Sequence, residues 1–214
     1  MRRGGGTEET GAGYDDPPPA LMSRVLRRIL LWYFRSRGWT IVGAPPADRR
    51  CVIIAVPHTS NWDFINYLGV IDGLGIKAHF MAKRSLFRWP LKRFMTDMGG
   101  VSVDRAGGGN YVEAMAAEFA RRKEFMLTIA PEGTRGAVQQ WRTGFYHIAV
   151  AAGVPIVCGM MDYEEKTGGL GRAIMPTGDY AADMKLIFES YRNVRPRHPE
   201  RAITDLSVMM AGKQ

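Results

Sequence analysis

Short apolar segments alternate with longer segments of helical pattern along most of this chain of 214 residues, and this alternation constrains the fold most. The apolar runs have the length and flanking residues of buried strands. They are Cys51–Val56, Lys77–Ala82, Val101–Val103, Phe125–Ala130 and Pro155–Met160. The segments around them predict helices, at Trp62–Gly73, Pro90–Asp97, Tyr111–Lys123, Thr143–Ala152 and Ala181–Arg192. This order predicts an α/β fold: a single layered domain with a largely parallel central sheet flanked by helices.

The N-terminal region is predicted to have two parts. Residues 1–20 are rich in Gly, Pro and charged residues, so we predict a disordered arm, followed by one domain over residues 21–214. Residues 21–37 predict a basic amphipathic helix. Its wide apolar face comprises Leu21, Met22, Val25, Leu26, Ile29, Trp32 and Tyr33, and its arginines are Arg24, Arg27, Arg28 and Arg35. Such a helix fits both packing on its own domain and contact with an anionic membrane.

The composition limits which kinds of partner and which cellular compartment we expect for the protein. A formal net charge of +8 indicates an anionic partner, which is nucleic acid, a phospholipid surface or a phosphorylated small molecule. Cys51 and Cys158 lie far apart within apolar runs and predict buried, reduced thiols. Because no apolar run approaches the ~20 residues that span a bilayer, and no apolar signal core is present, we expect a cytoplasmic protein without a membrane span.

The loop after the predicted strand Cys51–Val56 carries a histidine and an aspartate. His58 leaves the end of the strand, and Asp63 follows five residues later near the start of a helix. At this spacing Asp63 can accept a hydrogen bond from one ring nitrogen while the other faces a substrate hydroxyl. The two side chains resemble the base and its orienting acid in a Ser/His/Asp triad, with the substrate's own alcohol as the nucleophile.

A second loop follows the apolar run Phe125–Ala130 and reads EGTRG from Glu132 to Gly136. Its glycines permit backbone conformations in which amide groups can point at an anion. Arg135 adds a forked, permanently charged partner for phosphate, and Glu132 is placed to steady that arginine or the loop. The loop therefore predicts an anion-binding site.

In order, these motifs resemble those of the glycerophospholipid acyltransferase family, typified by the bacterial 1-acylglycerol-3-phosphate acyltransferases. The resemblance covers roughly residues 51–161. His58 to Asp63 resembles the family's HxxxxD, and Glu132 to Arg135 its EGTR. Residues 154–157 resemble its late apolar strand, and residues 83–105 its acceptor-binding block. Many relatives carry Asn before the histidine, whereas this chain has Pro57, so we expect the base to be positioned as in the family but the acceptor to be recognised differently at this point.

The resemblance implies roles for individual residues. His58 is the expected general base and Asp63 its partner. The expected binding residues for the acceptor, and for its phosphate in particular, are Glu132, Gly133, Thr134, Arg135, Arg105 and Lys83. Neither loop gathers a plausible metal shell, so we expect no metal and no cofactor beyond the acyl thioester.

The expected function follows from the same resemblance. An acyl chain moves from acyl-CoA or acyl carrier protein to the free hydroxyl of 1-acylglycerol-3-phosphate and gives phosphatidic acid. The expected location is the cytoplasmic face of the cell membrane, in peripheral or monotopic contact with its surface. One alternative is an acyltransferase that acts on another lysolipid. A second is a non-catalytic basic binding module, although no RNP, zinc-finger or helix-turn-helix pattern is present, and we expect no nucleic-acid partner.

Overall fold

The computed structural model of the protein describes residues 17–103 and 111–203. A seven-stranded sheet forms its centre, in the order β1-β7-β6-β2-β5-β3-β4. The strands are β1 (Thr40–Val42), β2 (Arg50–Ala55), β3 (His79–Lys83), β4 (Gly100–Val103), β5 (Phe125–Ile129), β6 (Ile156–Asp162) and β7 (Thr167–Ile174). Neighbouring strands pair in parallel except β6 and β7, which are antiparallel. The predicted α/β domain with a largely parallel sheet is confirmed.

Helices cover both faces of the sheet. They are α1 (Leu21–Ser36), α2 (Trp62–Gly73), α3 (Lys92–Asp97), α4 (Tyr111–Arg121), α5 (Gly144–Ala152) and α6 (Tyr180–Glu189). Because side chains alternate along a strand, Val52 and Ile54 of β2 enter the core shared with α4, α5 and α6, while Cys51 and Ile53 enter the core shared with α1, α2 and α3. From Cys51 to Ala55 the central strand β2 is apolar, because both of its faces are covered.

Two strands were not predicted from the sequence. β1 has only three residues, and β7 reads TGGLGRAI, a composition with low strand propensity. The glycines of β7 are needed for close packing. A Cβ atom on Gly169 would lie 1.9 Å from the carbonyl oxygen of Val42 in β1. Pro90 and Leu91 precede α3 in a turn, so this helix begins two residues later than predicted.

The helix predicted near the N-terminus is confirmed as α1, but the side that packs is not the wide apolar face. Leu31 and Phe34 are buried, and a Cβ on Gly69 of α2 would lie 2.3 Å from the ring of Phe34. Two of the helix's arginines, Arg27 and Arg35, bind Asp72 of α2, at 2.8 and 2.9 Å. The exposed large apolar side chains of α1 are Leu21, Met22, Val25, Ile29 and Trp32.

Three further predictions concern the N-terminal arm, the two cysteines and a membrane span. Residues 17–19 of the predicted arm are exposed, and residues 1–16 lie outside the described part. Cys51 and Cys158 are buried, as predicted. Within residues 17–103 and 111–203, every helix is too short or too polar to cross a lipid bilayer.

Candidate active site

The loop between β2 and α2 places a histidine against a buried carboxylate. Nδ1 of His58 lies 3.1 Å from Oδ2 of Asp63. The same oxygen accepts the backbone N–H groups of Thr59 and Ser60, at 2.9 and 2.8 Å. These two bonds hold the loop around the first turn of α2, where Asp63 is 2% exposed and His58 is partly exposed. Because Nδ1 faces the carboxylate, Nε2 is the ring nitrogen left for a substrate.

The loop after β5 is joined to the His58 loop through Glu132. Since β2 and β5 are parallel neighbours, their carboxyl ends reach the same edge of the sheet. Oε2 of Glu132 accepts the backbone N–H of His58 at 2.6 Å, and the glutamate is 4% exposed. This bond fixes the histidine backbone from the neighbouring strand. The burial of Glu132 favours a structural role for it, and its contact with a substrate stays a prediction.

The rest of the EGTR loop is open to solvent. Gly133 has a φ of 70°, in the left-handed region that favours glycine, so the chain turns sharply after Glu132. Thr134 and Arg135 are exposed, and Oγ1 of Thr134 accepts the backbone N–H of Gly136 at 3.3 Å. Arg135 thus lies three residues from the glutamate that contacts the His58 loop.

The two other predicted binding residues differ in placement. Lys83 ends β3, which pairs in parallel with β5, so this exposed lysine lies at the same edge of the sheet as the two loops. Arg105 lies outside the described residues. The structure therefore brings His58, Asp63 and Glu132 into contact and places the EGTR loop and Lys83 along one edge.

One tyrosine of this site was not predicted from the sequence. Tyr163 follows β6, and its hydroxyl donates a hydrogen bond to Oδ1 of Asp63 at 2.5 Å. Nδ2 of Asn66 in α2 donates to the same hydroxyl oxygen at 3.0 Å. The two members of the Tyr163–Asp63 pair are 100 positions apart, and Tyr163 belongs to no motif, so the sequence alone carries no signal for the contact.

Two residues near the C-terminus, Arg197 and His198, contact this part of the structure. The backbone N–H of His198 donates to Oγ1 of Thr59 at 3.3 Å. The guanidinium carbon of Arg197 lies 5.5 Å from the ring centroid of Trp62 and 6.0 Å from that of Tyr163. This places a cation at the rim of the site, on a residue that sequence analysis did not select.

The chain is also similar to known proteins. The family model described as Acyltransferase matches residues 41–161, which contain both loops. The chain belongs to this acyltransferase family. Among solved structures, it is similar to the crystal structure of the 1-acyl-sn-glycerophosphate (LPA) acyltransferase PlsC from Thermotoga maritima, with a TM-score of 0.55, 17% sequence identity and coverage of 78% of each chain. At this identity the likeness supports the acyltransferase fold. Comparison with curated protein sequences gives no significant match.

The burial of Glu132 changes how readily its carboxyl group ionises. Desolvation and the negative charge of Asp63 together raise the pKa of Glu132 from its ordinary value to about 7, although the bond from the His58 N–H acts in the opposite direction. A carboxyl group whose pKa is higher in the folded than in the unfolded state stabilises the fold relatively less as pH rises. Wild-type stability is therefore lowered by this group between about pH 4.5 and pH 7.

We predict that Glu132→Gln removes this penalty, because the amide keeps an oxygen acceptor for His58 but does not ionise. The difference in the free energy of unfolding, variant minus wild type, should therefore grow by about 2 to 3 kcal/mol from pH 5 to pH 8. Urea denaturation at the two pH values measures this change. A stability difference that is the same at pH 5 and pH 8 would contradict the prediction.

Proposed function

We propose that the protein transfers a fatty acyl chain from an acyl thioester, acyl-CoA or acyl carrier protein, to the free hydroxyl of 1-acylglycerol-3-phosphate. The products are phosphatidic acid and the free thiol. The observation that carries the proposal is the His58–Asp63 contact of 3.1 Å beside a loop that bears an exposed arginine. Membership of the acyltransferase family supports the reaction type, and the arginine supports an acceptor with a phosphate group.

The proposed chemistry uses His58 first as a base and then as an acid. Nε2 takes the proton of the acceptor hydroxyl as its oxygen attacks the thioester carbonyl carbon, and Asp63 stabilises the imidazolium that forms. The tetrahedral intermediate then expels the thiolate, which receives that proton from Nε2. The C–O bond forms and the C–S bond breaks, so neither a protein nucleophile nor a redox partner is required.

The phosphate of the acceptor is proposed to bind to Arg135, in the turn that begins at Gly133. A guanidinium group suits this task because its forked N–H groups match two phosphate oxygens. Lys83 lies at the same edge and adds positive charge, and Arg105 and Thr134 complete the proposed set. Pro57 stands where many relatives have an asparagine, so an assay should include several lysolipids, with and without phosphate.

We further propose that α1 binds the cytoplasmic surface of the membrane. Its exposed large apolar side chains recur at helical spacing and therefore form one stripe. Arg24 and Arg28, also exposed, are placed to contact anionic headgroups. A lysolipid acceptor resides in that membrane, so such contact would bring the enzyme to its substrate.

We predict that His58→Ala lowers the turnover number by about a thousandfold, because no other group would take the hydroxyl proton. Transfer from a labelled acyl thioester to a panel of lysolipids measures it, and circular dichroism checks the fold. His147→Ala, at an exposed position of α5, is the matched control and should keep wild-type activity. Undiminished transfer by His58→Ala would refute the proposal. Salt-sensitive anion binding without any transfer by the wild type would favour the basic binding module instead.

We predict that Arg135→Ala raises the KM for 1-acylglycerol-3-phosphate about tenfold or more, since one charge-assisted contact to phosphate is lost. The KM for the acyl donor should change much less, as should the KM for a monoacylglycerol that lacks phosphate. Arg172→Ala, at an exposed arginine of β7, is the matched control. Equal increases in the KM of both substrates would argue against a phosphate site at Arg135.

We predict that Val25→Glu weakens binding to vesicles of mixed neutral and anionic phospholipids about tenfold, because it puts a charge into the apolar stripe. Val150 in α5 is also 45% exposed, as Val25 is, but it lies on the opposite face of the sheet. Val150→Glu should therefore leave vesicle binding unchanged. Co-sedimentation with the vesicles measures both, and an equal loss in the two variants would count against α1 as the membrane contact.

A further inference from the structure

Asp63, the buried carboxylate of the proposed catalytic pair, is hydrogen-bonded by a side chain other than His58. That side chain, Tyr163, lies outside the residues that the family model matches, which end at residue 161. We propose that Tyr163 is a positioning residue for His58: its hydroxyl holds Oδ1 of Asp63, so that Oδ2 stays aligned with Nδ1 of the histidine. The role of His58 as a base, and thus the kinetic part of this inference, rests on the proposed function. The geometry consists of the 2.5 Å bond to Oδ1 and the 3.1 Å contact at Oδ2.

The direction of the hydrogen bond follows from its neighbours. The amide of Asn66 donates to the oxygen of Tyr163, and a carboxylate only accepts, so the single hydroxyl proton is directed to Asp63. Burial raises the pKa of Tyr163, and the negative charge of Asp63 adds to the effect. The tyrosine therefore stays protonated and remains a donor throughout the neutral range.

The tyrosine is itself held in place from several directions. Its backbone N–H donates to the carbonyl oxygen of Arg195 at 2.8 Å, and the backbone N–H of Arg195 donates to Oδ2 of Asp162 at 3.1 Å. Its ring meets the edge of Trp39 at 5.1 Å between centroids. A hydroxyl fixed in this way can determine the orientation of a carboxylate.

Loss of the Tyr163 hydroxyl would change the electrostatic potential at the ring of His58. Among residues 17–103 and 111–203, Tyr163 is the only donor to Oδ1 of Asp63, whereas Oδ2 also accepts two backbone N–H groups. Without it, uncompensated negative charge on the buried carboxylate would attract the protonated imidazole more strongly. In the part of the chain that the structure describes, the other charged groups that face the pair are Glu132 from the β5 loop and Arg197 over the tyrosine ring.

The test compares Tyr163→Phe with Tyr146→Phe. Tyr146 is a matched control because its hydroxyl also donates to a buried aspartate, Oδ2 of Asp183, at 2.7 Å, and it lies on α5 away from the site. The first readout is the ¹⁵N chemical shift of the His58 ring as a function of pH, which does not require activity. The second is the pH profile of kcat/KM for acyl transfer, with kcat and KM resolved.

For Tyr163→Phe we expect the pH midpoint of the His58 ring shifts to move upward by about one unit. The acid limb of kcat/KM should move with it, and kcat should fall about tenfold while the acceptor KM stays near wild type. Tyr146→Phe should leave the midpoint and the profile unchanged. An unmoved midpoint in Tyr163→Phe, or an equal shift in both variants, overturns the inference.

The proposed function and the positioning role of Tyr163 can be refuted separately. If the wild type shows no acyl transfer but the ring midpoint still moves in Tyr163→Phe, the proposed function fails and the positioning contact stands. If transfer depends on His58 while Tyr163→Phe behaves as wild type in both readouts, the positioning contact fails and the proposed function stands.

Discussion

The burial of Asp63 is the constraint on which the rest of this site depends. Removing a carboxylate from water costs several kcal/mol unless donors replace the lost hydration, and this one is 2% exposed. Its donors are the amides of Thr59 and Ser60, the ring of His58 and the hydroxyl of Tyr163. Because they come from the β2 loop and from the end of β6, the carboxylate can be buried only when both segments adopt their final positions.

The parallel sheet supplies the second half of the site. Parallel neighbours end at the same edge, so the loops after β2 and β5 meet without any long connection. Glu132 crosses between them to the amide of His58, although its burial raises its pKa to about 7 and Oε1 has no hydrogen-bond partner among the described residues. A residue that is this costly to bury fits a position where an exact backbone placement of the histidine matters more than stability.

Periodicity and motif spacing predicted what is local in the chain. The central strands and the His58–Asp63 pairing follow from short-range patterns, so β2, β5 and β6 were predicted to within two residues. β7 was missed because its glycines serve a close approach to β1 and not a strand pattern. The packed side of α1 was also not predictable, since Leu31 and Phe34 satisfy a helical spacing as the exposed stripe does. Their side of the helix is set by contacts with Gly69 and Asp72 of α2, which are distant in the sequence. Tyr163 required the folded chain, because nothing near it in sequence points to Asp63.

Helix α1 links the proposed lipid surface to the chemistry. It carries the exposed stripe, and next to this stripe Tyr33 stacks on Trp62 with 5.2 Å between ring centroids. Trp62 precedes Asp63 in the chain and contacts the guanidinium of Arg197. An acceptor with one long acyl chain would keep that chain in the membrane and present only its glycerol hydroxyl and headgroup at the surface. Under the proposed function, the Tyr33–Trp62 contact keeps the loop of the base, His58, next to the membrane-binding helix α1. The base can then reach that hydroxyl while the lipid stays in the membrane.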